Sequence, residues 1–538
     1  MNSSSTLPLT VGSLLDARAH ARGHHPLLIC DDRLLTYADA AERSAALARG
    51  LLASSLTHGS RVGLLYPNGP EFVVAALAAA RIGAVTVPIS TFSTPAEMRT
   101  LLRNADVDTL LAAPEYRRHD YVRILSEAVP EFDPGELPPL FSPSVPTLRR
   151  VAFDSSERAV DAVWTIASIL EAGSGIDPDI LQASQDRVNP SDRLVIIHTS
   201  GSASGPKGVI HCHGSLIGHL HVLNRMRRYD KDDVLFSNSP LFWIGGYAYG
   251  LLGTLEAGAT LVCSNSVVPS NVLDVIEEWR PTMVNGFAQS VAHLPDDPSF
   301  GRRDLTSIKR GNLYPIMPAN VRPPDPELHH NMLGMTETGS VCLASDDEAQ
   351  QPERRRGSFG KPVADIEAKT VDPESGSTVA AGVVGELCLR GPAVMEGYCG
   401  KERHETFDDD GWYHSGDLVH VDDEGFYYFH GRRGDMIKSS GANVSPHEVE
   451  SIVLQETGLV AHVFGIDDPA SGQLVAAVIR VPSAATPPDP ERLRTLMRAR
   501  LSAYKVPKRI LFVDEGEVPM MSSGKLDIRA LEELARAR

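Results

Sequence analysis

The sequence predicts an α/β protein: a large N-terminal domain of mostly parallel sheets flanked by helices, then a β-rich subdomain, then a small α+β C-terminal domain. Three observations carry this reading. Strand-like and helix-like segments alternate over the first hundred residues, short strands dominate after about residue 380, and the last hundred or so residues hold their own strands and helix. At 538 residues the chain exceeds what one hydrophobic core organises, so at least two domains are expected.

The elements follow in order. Thr36 caps a helix running to about Gly50, with Asp39 three residues on. Residues 61–66 read as a strand, 71–82 as an Ala-rich helix and 84–87 as a buried strand. Thr94-Pro95-Ala96-Glu97 joins an N-cap, a proline at the first helical position and a carboxylate at the third, and 109–112 is the next strand. Such alternation predicts parallel pairing with helices on both faces. Residues 133–190, with Pro-rich and acidic patches, read as a surface excursion. Strands follow at 386–390 and 426–429. In the C-terminal region Ser445-Pro446-His447-Glu448 is a capping box, 460–464 and 474–481 are strands, and 491–501 is a helix. The chain has no internal repeat and no low-complexity tract.

Composition excludes several classes of function. A net charge of −18 without a long Lys/Arg block argues against a nucleic-acid partner. Cys30, Cys212, Cys263, Cys342, Cys388 and Cys399 form no CxxC pair, so neither a zinc site nor a disulfide scaffold is suggested, and free thiols in a reducing cytoplasm are expected. The start, MNSSSTLPLT, lacks the pattern of a signal peptide. The strongest apolar stretch, 72–80, is closed by Arg81 and is shorter than the ~18 residues of a membrane span. A soluble, cytoplasmic protein is the expectation.

One segment points to chemistry. Residues 194–198 form a strand that opens into Thr199-Ser200-Gly201-Ser202-Ala203-Ser204-Gly205-Pro206-Lys207-Gly208, with a helix expected from near Ser215. Glycines let backbone N–H groups converge on an anion, hydroxyls add donors, and a lysine supplies charge to phosphate oxygens. A Gly/Ser linker is the bland alternative, but linkers rarely carry Pro-Lys-Gly directly after a buried strand. The order does not fit GxxxxGK[ST], which argues against an ordinary P-loop.

This loop resembles the TSGTTGxPKG signature of the adenylate-forming superfamily, which includes acyl-CoA synthetases, peptide-synthetase adenylation domains and luciferases. Further motifs follow in that family's order. Leu333-Gly334-Met335-Thr336-Glu337 resembles YGMTE, Gly385-Glu386-Leu387 with Arg390-Gly391 resembles GEL…RG, and Gly411 to Leu418 resembles GWxxTGDL. Gly431 to Lys438, with Gly441 and Glu448 to Glu450, resembles the GRxDDxIK segment. Tyr504 to Lys508 and Ser523-Gly524-Lys525 resemble YKVPK and the terminal SGK. The resemblance spans nearly the whole chain and is strongest to the acyl-CoA synthetase branch.

The resemblance implies attack of a small-molecule carboxylic acid on the α-phosphorus of ATP, release of pyrophosphate, and transfer of the acyl group to CoA, with Mg²⁺ required. It assigns ATP contacts to Thr199, Ser200, Gly201, Ser202, Gly205, Asn312, Leu333, Gly334, Asp417 and Arg432. Lys207, Thr336, Glu337 and Lys525 are the catalytic candidates, and Glu337 is also the Mg²⁺ ligand. Asp417 suits the ribose hydroxyls as an acceptor-only carboxylate. Phe242, Trp243 and Gly246 are candidates for the acyl pocket, and Gly441 for approach of the CoA arm. Gly434 falls at the family's hinge, which divides a large domain, 1–432, from a small mobile one, 433–538.

The sequence also departs from the pattern. Ser204 replaces a loop glycine, Leu333 an adenine-stacking aromatic, Gly434 a hinge Asp or Lys, and Asn312-Leu313-Tyr314 the usual Gly-Ala-Pro. None removes a charge the chemistry needs. No acid suited to a substrate α-amino group follows Phe242, which leans against an amino-acid-activating domain. Two alternatives remain: transfer to an amine or a carrier-protein thiol, and a nucleotide-binding homologue that has lost catalysis.

Overall fold

In the computed structural model the described residues are 7–154, 162–199, 206–287, 291–433, 437–439, 442–468, 472–482, 486–498, 500–501, 505–521 and 526–537. The chain divides into two compact units: residues 1–356, 362–367 and 390–411 form one, and 357–361, 368–389 and 412–538 the other.

Two sheets organise the first unit. In one, Val85–Pro88, Arg61–Leu65, Thr109–Ala112 and Arg150–Phe153 pair in parallel, and Arg193–Thr199 joins the Val85–Pro88 side, also parallel. The helix Pro70–Arg81 makes the crossover between two of these strands and is buried along its length, which its run of apolar and alanine residues permits. Its buried charge, Arg81, is held by the Ser44 hydroxyl at 3.0 Å and Asp16 at 2.8 Å. Capping boxes close at Thr36 with Asp39 and at Thr94 with Glu97, whereas the one expected at Ser445 forms only its N-cap half. The second sheet orders Arg310–Gly311, Met283–Asn285, Val234–Ser237, Thr260–Cys263, Pro26–Cys30 and Arg33–Thr36, parallel except for the last pair, a hairpin.

One expectation is corrected. Residues 133–190 are not merely an excursion: Arg150–Phe153 extends the first sheet, and Trp164 is buried behind it, 1% exposed and 5.3 Å from the Phe132 ring. The preceding prolines hid a short strand whose last three residues are apolar and buried. The helix expected from near Ser215 forms as His213–Met226. Before it, Lys207–Cys212 turns back as a strand antiparallel to Arg193–Thr199.

The second unit begins with an antiparallel ladder in which Tyr413–Val421 lies between Gly385–Arg390 and Tyr427–Arg432. Its C-terminal part is built on Gly472–Val481, flanked by Ala461–Asp468 and Arg509–Asp514. Period-two alternation splits this sheet's side chains. Val475, Ala477 and Ile479 pack with Val449 and Leu493 on one face, while Ala476 and Val478 pack with Phe464 and Leu531 on the other. Ser445 caps the helix Pro446–Thr457 by accepting from the Glu448 N–H, while the Glu448 carboxylate pairs with Lys505 at 2.7 Å.

Candidate active site

Within the first unit the Lys207 strand and the Thr336–Glu337 turn are held to a common edge. Lys207 faces Thr199 across the hairpin, and the short strand Gly397–Tyr398 pairs with its other side, Tyr398 opposite Val209. Cys399 N–H donates to Gly208 O at 2.8 Å, and Met395 N–H donates to Glu337 O at 2.8 Å, so residues 395–399 are tied by backbone to both motifs. The Tyr398 hydroxyl donates to Glu337 Oε1 at 2.8 Å, and Lys207 Nζ lies over its ring, 5.2 Å from the centroid. Tyr398 is 7% exposed, whereas Lys207 and Glu337 are half-buried.

The turn itself is over-determined. Thr336–Thr338 is a short 3₁₀ turn closed by Gly339 at φ 67°, where a side chain would be strained and would press on Leu216. The Thr338 hydroxyl bridges Met335 O at 3.2 Å and Ser340 O at 3.0 Å. Behind it, His211 Nε2 sits 2.6 Å from Thr336 O; a carbonyl only accepts, so Nε2 carries the proton. His211 is fully buried, and that burial pushes its pKa down to about 4, so the ring is neutral at physiological pH. His198, next to Thr199, is likewise pushed down to about 4 by burial, and neither ring nitrogen has a hydrogen-bond partner among the described residues.

The remaining candidates of this unit lie on other elements. Gly334 is exposed on the strand Leu333–Met335, and a side chain there would run into the Ser340 backbone; Leu333 beside it is half-buried. Asn312 clasps Gly286, accepting from its N–H and donating to its carbonyl, both at 3.0 Å. Phe242 is buried, and its ring packs edge-on against Phe92 at 5.8 Å and Trp243 at 5.7 Å; Trp243 in turn meets Phe287 at 5.2 Å. Gly246 lies in a π-helical segment, Gly245–Leu252, against the Pro240 carbonyl, where no Cβ fits.

In the second unit Asp417 and Arg432 are register partners on adjacent strands. Arg432 Nε donates to Asp417 Oδ1 at 2.8 Å and its Nη2 to Ser415 O at 3.0 Å, while Asp417 N–H donates to the Ser415 hydroxyl at 3.0 Å. Asp417 is 6% exposed, so the pairing offsets the burial of its charge. The preceding Gly416, at φ 76°, donates its N–H to Glu386 Oε1 at 3.0 Å. Ser200, Gly201, Ser202, Ser204, Gly205, Gly434, Gly441 and Lys525 lie outside the described residues.

Sequence reasoning did not single out Tyr398, His211 or Glu386 as site residues. Tyr398 and His211 become meaningful only once pairing places them beside Glu337. Glu386, 4% exposed in a strand otherwise apolar on both sides, was the most readable of the three. Among the described residues no cluster of three or more His, Cys, Asp or Glu side chains is placed to hold a metal. A single carboxylate on a rigid turn suits Mg²⁺, which takes one or two protein carboxylates and completes its shell with phosphate and water.

This α/β scaffold, with the Lys207 hairpin beside a Thr-Glu turn, is that of a nucleotide-using ligase. Residues 15–399 match the AMP-binding enzyme family and residues 448–525 its C-terminal domain, and the chain belongs to the AMP-binding enzyme family. It is 30% identical to a feruloyl-CoA synthase of Amycolatopsis sp, over 96% of this chain and 97% of that one. It is 29% identical to the mitochondrial medium-chain acyl-CoA ligase ACSF2 of Mus musculus, over 97% of this chain and 87% of the other. Among solved structures, the anthranilate CoA ligase AuaEII in complex with anthranoyl-AMP superposes with a TM-score of 0.83 at 24% identity, covering all of both chains. Among the described residues no helix is long and apolar enough to cross a membrane.

Proposed function

We propose that this chain is an AMP-forming acid–CoA ligase, which joins a carboxylic acid to ATP as an acyl-adenylate, releases pyrophosphate and passes the acyl group to CoA. The observation that carries the reading is the Lys207–Tyr398–Glu337 arrangement: a cation and an anion held on one edge, neither with an ion-pair partner among the described residues. Such charges are poised for a triphosphate and its metal.

Each residue then has a task. Thr199, Ser200, Gly201, Ser202, Gly205 and Lys207 grip the departing pyrophosphate, and Thr336 donates to a phosphate oxygen. Glu337 would hold Mg²⁺, which when bound neutralises phosphate charge. Asp417 and Arg432 receive the ribose, and Asn312, Leu333 and Gly334 border adenine. Lys525 neutralises charge as the carboxylate attacks the α-phosphorus. Phe242 and Trp243 shape the acyl side, with Gly246 allowing the close backbone approach there, and Gly441 admits the thiol arm. Residues 433–538 turn about Gly434 between the two half-reactions, and the enzyme is cytoplasmic.

The relatives' names span medium-chain aliphatic and phenylpropenoid acids, so the test is a panel across both, scored by pyrophosphate release with and without CoA and by mass spectrometry of the products. Release with some acid, and a thioester only when CoA is present, is expected. No release with any acid overturns the reading, and an amide or a carrier-bound product in place of the CoA thioester replaces the acceptor. Lys525→Ala should abolish adenylation while sparing acyl transfer from a supplied acyl-adenylate.

A further inference from the structure

We infer that Tyr398 is a positioning residue of the ATP site, which keeps Lys207 and Glu337 from neutralising one another and so leaves one charge for phosphate and the other for Mg²⁺. The inference rests on the proposed adenylation reading. An ammonium and a carboxylate held to one side chain would ordinarily pair, and each would then have to be released before a nucleotide could use it. Here each is held by a neutral part of the same side chain. The hydroxyl donates to Glu337 Oε1 at 2.8 Å, which fixes the carboxylate without cancelling its charge. The ring face lies under Lys207 Nζ at 5.2 Å, an attraction that needs no counter-ion.

The side chain can do this because its backbone is fixed from both directions. Tyr398 lies opposite Val209 in the ladder, two residues from Lys207, and on the same face of the strand. Met395 N–H, three residues back, donates to Glu337 O at 2.8 Å, and Cys399 N–H donates to Gly208 O at 2.8 Å. At 7% exposure the residue is buried in this arrangement.

Two variants separate this role from packing. Tyr398→Phe keeps the ring and removes the hydroxyl; Tyr398→Leu removes both. Calorimetric ATP binding, in Mg²⁺ and in EDTA and without acid substrate, reads each contact apart from turnover. We expect Tyr398→Phe to weaken Mg²⁺-ATP binding about tenfold, as for loss of a hydrogen bond to a charged group, and to leave Mg²⁺-free ATP binding unchanged. The Leu variant should also weaken Mg²⁺-free binding, by about threefold to tenfold, because Lys207 loses its seat. Mg²⁺-dependent pyrophosphate release should shift to higher Mg²⁺ in both, at an unchanged melting temperature for the Phe variant. Wild-type Mg²⁺-ATP affinity in Tyr398→Phe, or equal losses with and without Mg²⁺, overturns the inference. Glu337→Gln and Lys207→Ala serve as controls: if both bind ATP and release pyrophosphate as wild type, the adenylation reading falls first and takes this inference with it.

Discussion

At the Lys207–Glu337 edge of the first unit, opposite charges are held by a neutral tyrosine; at the Gly416 turn of the second, Asp417 is held directly by Arg432 at 2.8 Å. Burial accounts for the difference. Asp417 is 6% exposed, and a carboxylate so deep needs a partner before any ligand arrives. Lys207 and Glu337 are half-buried and still reach solvent, so their charges are tolerated without pairing. The first region is thus suited to binding charge with charge. The second offers a ligand mainly hydrogen bonds, because the Arg432 guanidinium already pairs with the Asp417 carboxylate.

The contrast predicts unequal mutational costs. Glu337→Gln keeps shape and removes the metal-facing charge; pyrophosphate release should fall 100-fold or more, about 2.7 kcal/mol in the barrier, and the loss should persist at saturating acid. Asp417→Asn should have a smaller effect, raising the KM for ATP about tenfold with kcat little changed, since it alters hydrogen bonding in a region where charge is already compensated. A larger loss for Asp417→Asn than for Glu337→Gln would break the comparison. Smaller again is Arg432→Ala: its side chain is 57% exposed, so solvent screens much of the pairing, and the stability loss should be about 1 kcal/mol in urea unfolding.

The same contrast explains what the sequence disclosed. Local rules found the capping boxes at Thr36 and Thr94 and the parallel strands around residues 61–112, because caps and apolar periodicity act over a few residues. The family motifs marked Lys207, Glu337, Asp417 and Arg432 by type. They could not show that Asp417 and Arg432 are strand partners, that a strand follows the phosphate loop, or that Tyr398, 191 positions beyond Lys207, lies beside it. Those facts depend on register between distant strands, which no window of sequence contains. Residues 150–153 were missed for the opposite reason, since prolines and acids around them masked four residues whose sheet partner lies 41 positions earlier.

A pH-dependent effect concerns how the Thr336–Glu337 turn is anchored. His211 donates to Thr336 O at 2.6 Å as a neutral ring, and burial holds its pKa down to about 4 against the usual 6.5. In the unfolded chain the ring takes up a proton as pH falls through 6.5, whereas in the folded chain it does so only near 4. Stability is therefore fully present above 6.5 and is lost progressively down to 4. At pH 5 the deficit amounts to about 2 kcal/mol, at about 1.4 kcal/mol per pH unit. His211→Gln keeps a donor for the carbonyl and removes the titration. Wild type should thus lose stability relative to this variant between pH 8 and pH 5, read from the pH dependence of the urea unfolding midpoint. Parallel loss in the two proteins would show that the turn is not anchored by a buried neutral imidazole. The rigidity of the first region would then rest on Thr338 and the Met395 strap alone, and its contrast with the ion-paired second region would narrow to the tyrosine.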